Sequence, residues 1–211
     1  MRNNIAFNVF SPLLFLKTKF MRYSKFKEKN VFCIEGDWTN NLKDEASIKS
    51  ALDFLQHNSK VRSTHRNCST VQEFEERIKT ALQKTYSKYG LIYLAFHGTP
   101  GSINVGKRKK LELDAIVEMI MERASDKIIH FGCCSTLDIS GWDLRRFLLK
   151  TGALAVSGYT KDIEFIQSTF LDILYFKHCQ NSRKMSVIEK EMKLYYGKLI
   201  SELGFVIKYI N

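Results

Sequence analysis

With two prolines and 11 glycines in 211 residues, collagen-like and low-complexity classes are excluded. No C-x-x-C pair occurs among the five cysteines, Cys33, Cys68, Cys133, Cys134 and Cys179, and the adjacent Cys133 and Cys134 cannot easily bridge each other. An odd set of thiols without such spacing argues against a disulfide framework and for a reducing compartment, so the expected location is cytoplasmic. The Cys and His residues lack zinc-ligand spacing, and no Gly-rich loop precedes a Lys-Ser or Lys-Thr pair. Neither a metal nor a cofactor is therefore expected. Outside the first 30 residues no apolar run approaches the ~18 residues that span a bilayer, so no membrane span is expected.

What is present is the balance of one ordinary globular domain: 45% apolar and 26% charged residues, with aromatics at 12%. A chain of this size buries enough surface to need no staple. Acidic residues are outnumbered 22 to 33, a net charge of +11, which raises nucleic acid as a partner. The distribution weakens that idea, because residues 1–30 carry +6 and residues 31–211 only +5. The expected organisation is a basic leader, 1–30, followed by a single α/β domain, 31–211. Residues 5–16 are apolar but interrupted by Asn8, Ser11 and Pro12, with no small-residue cleavage site after them. A leader, a signal peptide and a true start at Met21 stay open as alternatives. Nucleic-acid binding through the leader ranks last among the functions, and no obligatory nucleic-acid partner is expected.

Residues 30–36 (NVFCIEG), 91–96 (LIYLAF), 127–131 (KIIHF) and 153–156 (ALAV) are short apolar runs bounded by turn formers, the pattern of strands buried on both faces. A weaker strand is placed at 61–67. Between them lie amphipathic segments: one capped by Asp44 or Ser47, one capped by Ser69 or Thr70, with Glu73 placed for a capping box from Thr70, and ending at Gly90, one capped by Asp114, and one ending at Gly152. The second run stops at residues 97–101 (HGTPG), a cluster of turn formers, and residues 102–105 and 110–113 read as a hairpin whose basic run, 107–110, is a solvated tip. Residues 162–209 read as helices. Strands alternating with helices imply right-handed crossovers and a doubly wound, mainly parallel α/β sheet with helices on both faces.

In such sheets ligands sit beyond the carboxyl ends of the strands. The residues there are Glu35 and Asp37, His97 and Gly98, Cys133 and Cys134, and Tyr159 with Asp162. A Cys and a His at neighbouring strand ends form a nucleophile and base in outline. The thiol needs a neighbour that favours thiolate, which His97 or the helix after Thr136 supplies. Gly98, lacking Cβ, lets its N–H approach a substrate carbonyl and form an oxyanion hole with the Cys134 N–H. His130 lies inside a strand and reads as a packed side chain.

The order strand-His97-Gly98, strand-Cys133-Cys134-Ser135-Thr136, then strand-Gly158-Tyr159 resembles the caspase, gingipain and separase clan (clan CD) of cysteine peptidases. The likeness is closest to its CHAT branch. Cys133 to Thr136 resembles that branch's Ala-Cys-x-Ser/Thr motif with Cys134 as nucleophile, and residues 147–156 (FLLKTGALAV) resemble its Phe-Leu-x-x-Gly-Ala-x-x-Val segment. Phe170, Tyr175 and Phe176 resemble the aromatic helix that follows. The resemblance covers roughly residues 31–176 and implies a caspase-like fold and a Cys134–His97 dyad cleaving a protein or peptide substrate, in a bacterial defence or cell-death system. It implies a separate activator protein as well, since no second domain is left for sensing. Where caspases have Gln-Ala-Cys-x-Gly this chain has Gly-Cys-Cys-Ser-Thr, and Tyr159 stands where CHAT proteins often have Trp. Specificity for Asp is not implied, and Cys133 stays open as an alternative nucleophile.

Carboxylates at Glu35, Asp37 and Asp162, with Tyr159, are candidate walls of a substrate pocket selecting Arg or Lys before the scissile bond. The alternative is that these acids cap loops and the helix after residue 162. A catalytically silent caspase-like interaction module is the competing reading of the whole chain. The aromatics after Phe165 either cover the sheet or form an oligomer seam.

Overall fold

The computed structural model describes residues 29–210, apart from positions 40, 42, 44, 107 and 108. The leader up to residue 28, Asp44 as a cap and the centre of the 107–110 tip therefore lie outside the described residues.

Six strands form the main sheet: β1 (Val31–Glu35), β2 (Ser63–Asn67), β3 (Leu91–Ala95), β7 (Ile128–Phe131), β8 (Ala155–Tyr159) and β9 (Phe205–Tyr209). Their order is β2-β1-β3-β7-β8-β9, parallel except for antiparallel β9. The first, third, fourth and fifth of these are buried along their whole length, which is why they read as unbroken apolar runs rather than as alternating ones.

Helices cover both faces. On one side lie α2 (Val71–Ala81), α3 (Leu113–Ile120) and α4 (Gly141–Thr151), burying Phe74, Ile116 and Phe147 against Ile34, Leu94 and Phe131. On the other lie α1 (Lys49–Asn58), α5 (Phe165–Cys179) and α6 (Met185–Leu203), burying Leu52, Phe176 and Ile188 against Cys33, Tyr93 and Ala155. Alternate strand residues feed the two cores, as the pleat requires. The capping box forms as expected: Thr70 Oγ1 accepts from Glu73 N at 3.1 Å, and Glu73 Oε2 accepts from Thr70 N at 3.2 Å. Gly152, in the left-handed conformation, ends α4.

Four expectations need correction. Gly90 does not end a helix; α2 stops at Ala81, a 3-10 turn follows at Lys84–Tyr86, and Gly90 leads into β3. A side chain there would press on Lys29, whose Nζ donates to the Cys179 and Ser182 carbonyls, each at 2.6 Å. Asp114 lies in the first turn of α3 instead of capping it, and accepts from Arg146 Nη2 at 3.1 Å. The stretch after residue 162 is not all helix: Gly204 terminates α6 in the left-handed conformation, and Phe205 and Ile207 turn inward on alternate positions of an edge strand. His97 does not sit in a turn. It begins β4 (His97–Thr99), which joins β5 (Ser102–Val105) and β6 (Lys109–Glu112) in a small antiparallel sheet.

Candidate active site

Strand order reverses between β1 and β3, since the chain leaves β1 towards β2 and returns to add β3 on the opposite side. Such a switch point opens a crevice at the carboxyl ends. His97 follows β3 and Cys134 follows β7, the strand beside it, so the two predicted residues emerge at adjacent strand ends.

Contacts draw them onto one rim. A Cβ built on Gly98 would stand 2.8 Å from Cys133 Cβ and nearer still to the Cys134 carbonyl oxygen and Thr136 Oγ1. The His-Gly strand thus lies directly on the Cys-Cys-Ser-Thr turn, and only glycine permits it. Thr136 Oγ1 donates to the Ser102 carbonyl at 3.1 Å, and Gly101 N donates to the Thr136 carbonyl at 3.1 Å. The far side of the turn is held by the segment after β8: Ser135 N donates to the Lys161 carbonyl at 2.8 Å, and Ser135 Oγ to Asp162 Oδ1 at 3.2 Å. Ser135 has φ +42°, a left-handed conformation for a residue with a side chain. Such strain persists only where surroundings impose it, and it is concentrated at functional sites.

The adjacent thiols are in opposite environments. Cys133 is buried and donates to the Leu94 carbonyl at 3.1 Å; burial pushes its pKa far above the ordinary thiol value. Cys134 is half-buried, with Sγ 3.9 Å from the Ile163 carbonyl. Thiolate chemistry requires access and an unburied sulfur, and of the pair Cys134 has that access.

His97 is exposed, and its Nε2 lies 2.6 Å from the Trp38 carbonyl. A carbonyl only accepts, so Nε2 carries a proton, and the nitrogen left to exchange one with a substrate or thiol is Nδ1. The Trp38 ring stands edge-on to His97 at 5.4 Å and to Phe165 at 5.1 Å. From Cys134 through Ile163, Phe165, Trp38, His97 and Gly98 back to the Cys134 carbonyl, the rim closes on itself. The sequence reading missed Trp38 and Ser135. Trp38 was within reach of it, three residues past the first strand end.

The proposed pocket walls separate. Asp37 and Asp162 are exposed. Tyr159 is not at the surface: its side chain is fully buried, and its hydroxyl donates to Asp172 Oδ1 at 2.5 Å. Glu35 is 3% exposed and accepts from Trp38 Nε1 (2.5 Å), Ser47 Oγ (2.6 Å), Ile48 N (2.8 Å) and His65 Nε2 (2.5 Å). Burial pushes the Glu35 carboxyl upward, but hydrogen bonds from His65, Ser47, Trp38 and Ile48 outweigh it and hold it below the ordinary glutamate value. Neither Glu35 nor Tyr159 faces an open pocket; each is turned inward by the partners that satisfy it.

His130 is packed as expected, and within an unexpected array. Its Nε2 donates to Asp172 Oδ1 at 2.8 Å, its Nδ1 lies 2.9 Å from Ser157 Oγ, and Tyr93 donates to Asp172 Oδ2 at 2.7 Å. Ser157, His130 and Asp172 reproduce the outline of a hydrolase triad, but each is at most 1% exposed, so no substrate reaches them. Among the described residues no group of three or more His, Cys, Asp or Glu side chains is arranged to hold a metal ion, and no helix is long and apolar enough to cross a membrane.

A mainly parallel six-stranded sheet, helices on both faces and this strand order define a caspase-like α/β fold. The crystal structure of caspase-1 from Spodoptera frugiperda shares it, with a TM-score of 0.54 over 87% of each chain and 8% sequence identity. At that identity the likeness is one of fold. The chain itself belongs to DUF6642, a family of unknown function, whose model matches residues 28–209. Comparison with curated proteins returns no match.

Proposed function

We propose that the protein is a cysteine endopeptidase with Cys134 as nucleophile and His97 as general base and acid. The observation that carries this reading is the closed rim: a half-buried thiol and a carbonyl-anchored imidazole on adjacent strand ends, joined by a glycine that lies against the Cys134 carbonyl. His97 Nδ1 takes the thiol proton, and the sulfur attacks the scissile carbonyl. The Gly98 and Cys134 N–H groups stabilise the oxyanion. His97 then returns the proton to the leaving amine, and water, activated by the same nitrogen, releases the acyl group. Asp162, held beside the Cys134 turn by Ser135, and Asp37 are the carboxylates left to recognise a basic side chain before the cut. Five free thiols suit a reducing, cytoplasmic setting. The CHAT-like segments support a regulated protein target, with a separate protein supplying the activating signal.

The test is digestion of a mixed peptide library by the full chain under thiol reductant, read by mass spectrometry. Cleavage is expected with wild type and Cys133→Ala, absent with Cys134→Ala, and mostly after Arg or Lys; Asp162→Asn is expected to weaken that preference. Cleavage that survives Cys134→Ala removes the assignment, and no cleavage by wild type favours the silent interaction module.

A further inference from the structure

We propose that Glu35 is a positioning residue for His97, acting through the Trp38 indole. The proposal rests on the Cys134–His97 reading and extends it to a residue buried behind the rim.

Val31, Phe32, Cys33 and Ile34, the rest of β1, are apolar and buried, so the sheet itself asks for an apolar side chain at position 35. A buried carboxylate is retained at a desolvation cost that only complete hydrogen bonding offsets. Here the offset is complete, and the four donors come from separate places: Trp38 in the loop after β1, Ser47 and Ile48 at the start of α1, and His65 on β2. Three of these ties hold the body of the fold together.

The fourth leads to the site. Beyond Gly36, whose N–H donates to the Ala95 carbonyl at 2.9 Å, the loop turns outward through exposed Asp37 and Thr39. Thr39 and Asn41 bond to each other. Trp38 anchors this stretch inward, by its N–H on Glu35 and its ring on Phe165. Its carbonyl is the group that fixes the His97 tautomer at 2.6 Å. The indole N–H and the carbonyl belong to one residue, so releasing the first lets the second move. Glu35 thereby passes the rigidity of β1, β2 and α1 to the imidazole without touching it.

The experiment uses the full chain as wild type, Trp38→Phe, Glu35→Gln and His97→Ala. Three readouts are taken: the tautomer of His97 from 15N imidazole spectra, the rate of iodoacetamide alkylation at Cys134 at pH 7, and the melting temperature. Trp38→Phe keeps an aromatic ring against Phe165 and His97 while deleting the indole N–H, so it is expected to stay folded and to melt a few degrees below wild type, the cost of one donor lost to Glu35. It is expected to lose the single Nε2–H tautomer and to alkylate more slowly, on the order of 10-fold, the scale of a small misplacement of a reacting group. Glu35→Gln, which keeps one acceptor oxygen, is expected to shift both readouts the same way by less. Trp38→Phe with the tautomer and rate of wild type would overturn the positioning role while leaving the dyad standing. His97→Ala that alkylates as fast as wild type would remove the dyad, and the positioning role with it.

Discussion

Gly98→Ala places a single methyl group where the site has no room. The added carbon would stand 2.8 Å from Cys133 Cβ and closer to the Cys134 carbonyl oxygen and Thr136 Oγ1. None of these is the loose end of a flexible side chain. Cys133 is held on Leu94, Thr136 is buried and bonded to Ser102, and the Cys134 carbonyl is main chain. Relief must therefore come from backbone movement, either of β4 or of the Cys turn. Overpacking of this kind costs about 1–3 kcal/mol, and for a chain of this size each kcal/mol lowers Tm by about 2–4 °C, so a fall of roughly 2–12 °C is expected. Because one of the crowded atoms is the carbonyl oxygen of Cys134 itself and the other two flank it on the same turn, alkylation and peptide cleavage should fall further than stability does. Gly141→Ala is the control. Gly141 opens α4 with nothing within 4 Å of its added Cβ, and the reduced freedom of the unfolded chain should stabilise it by about 0.4–1 kcal/mol. Differential scanning fluorimetry and timed alkylation of both variants measure the contrast. Gly98→Ala melting alongside Gly141→Ala with Cys134 as reactive as in wild type would refute the contact between the His-Gly strand and the Cys turn.

Two further outcomes follow from the titrating groups. Cys33, Cys68, Cys133 and Cys179 are buried, and burial pushes the Cys68 thiol from 9.0 to about 11, roughly 100-fold less thiolate. Native protein should therefore take up one equivalent of iodoacetamide, at Cys134, and five after unfolding; rapid native labelling at a second cysteine, located by peptide mapping, would contradict the burial. Glu35, with a carboxyl held below the ordinary value, contributes stability that is complete above the unfolded glutamate range near ~4.3 and is lost as pH falls through the lower folded value. Urea unfolding of wild type and Glu35→Gln should show their stability gap narrowing below about pH 4, whereas a gap constant from pH 7 to 3 would mean that the charge contributes nothing.

What was legible in the sequence is what local pattern encodes. The buried strands, the Thr70–Glu73 box and the stop at Gly152 each depend on neighbours along the chain, and all three formed. His97 and Cys134 were found because turn formers mark where buried strands end. What escaped depends on residues far apart in sequence. Glutamate is almost never fully buried unless paired, and the partners of Glu35 lie 3, 12, 13 and 30 positions away, so it read as a pocket wall. Tyr159 likewise read as a pocket wall because Asp172, its acceptor, sits mid-helix on α5. The histidine strand was mistaken for a turn because its partner β5 follows a Pro-Gly pair that local rules assign to a loop. The role of the Trp38 carbonyl leaves no trace in sequence at all, since any residue there has one.

The side-by-side placement of one sealed and one accessible thiol also gives the molecule its own folding clock. Register pairs join Val31 to Leu91 and Leu91 to Ile128, separations that make sheet assembly a slow, non-local step. Cys133 gains protection only when β7 settles against the Leu94 carbonyl on β3, while Cys134 stays accessible afterwards. A thiol pulse during refolding thus reports, at two neighbouring positions of a single peptide, the sealing of one sulfur as the sheet closes and the continued accessibility of the other.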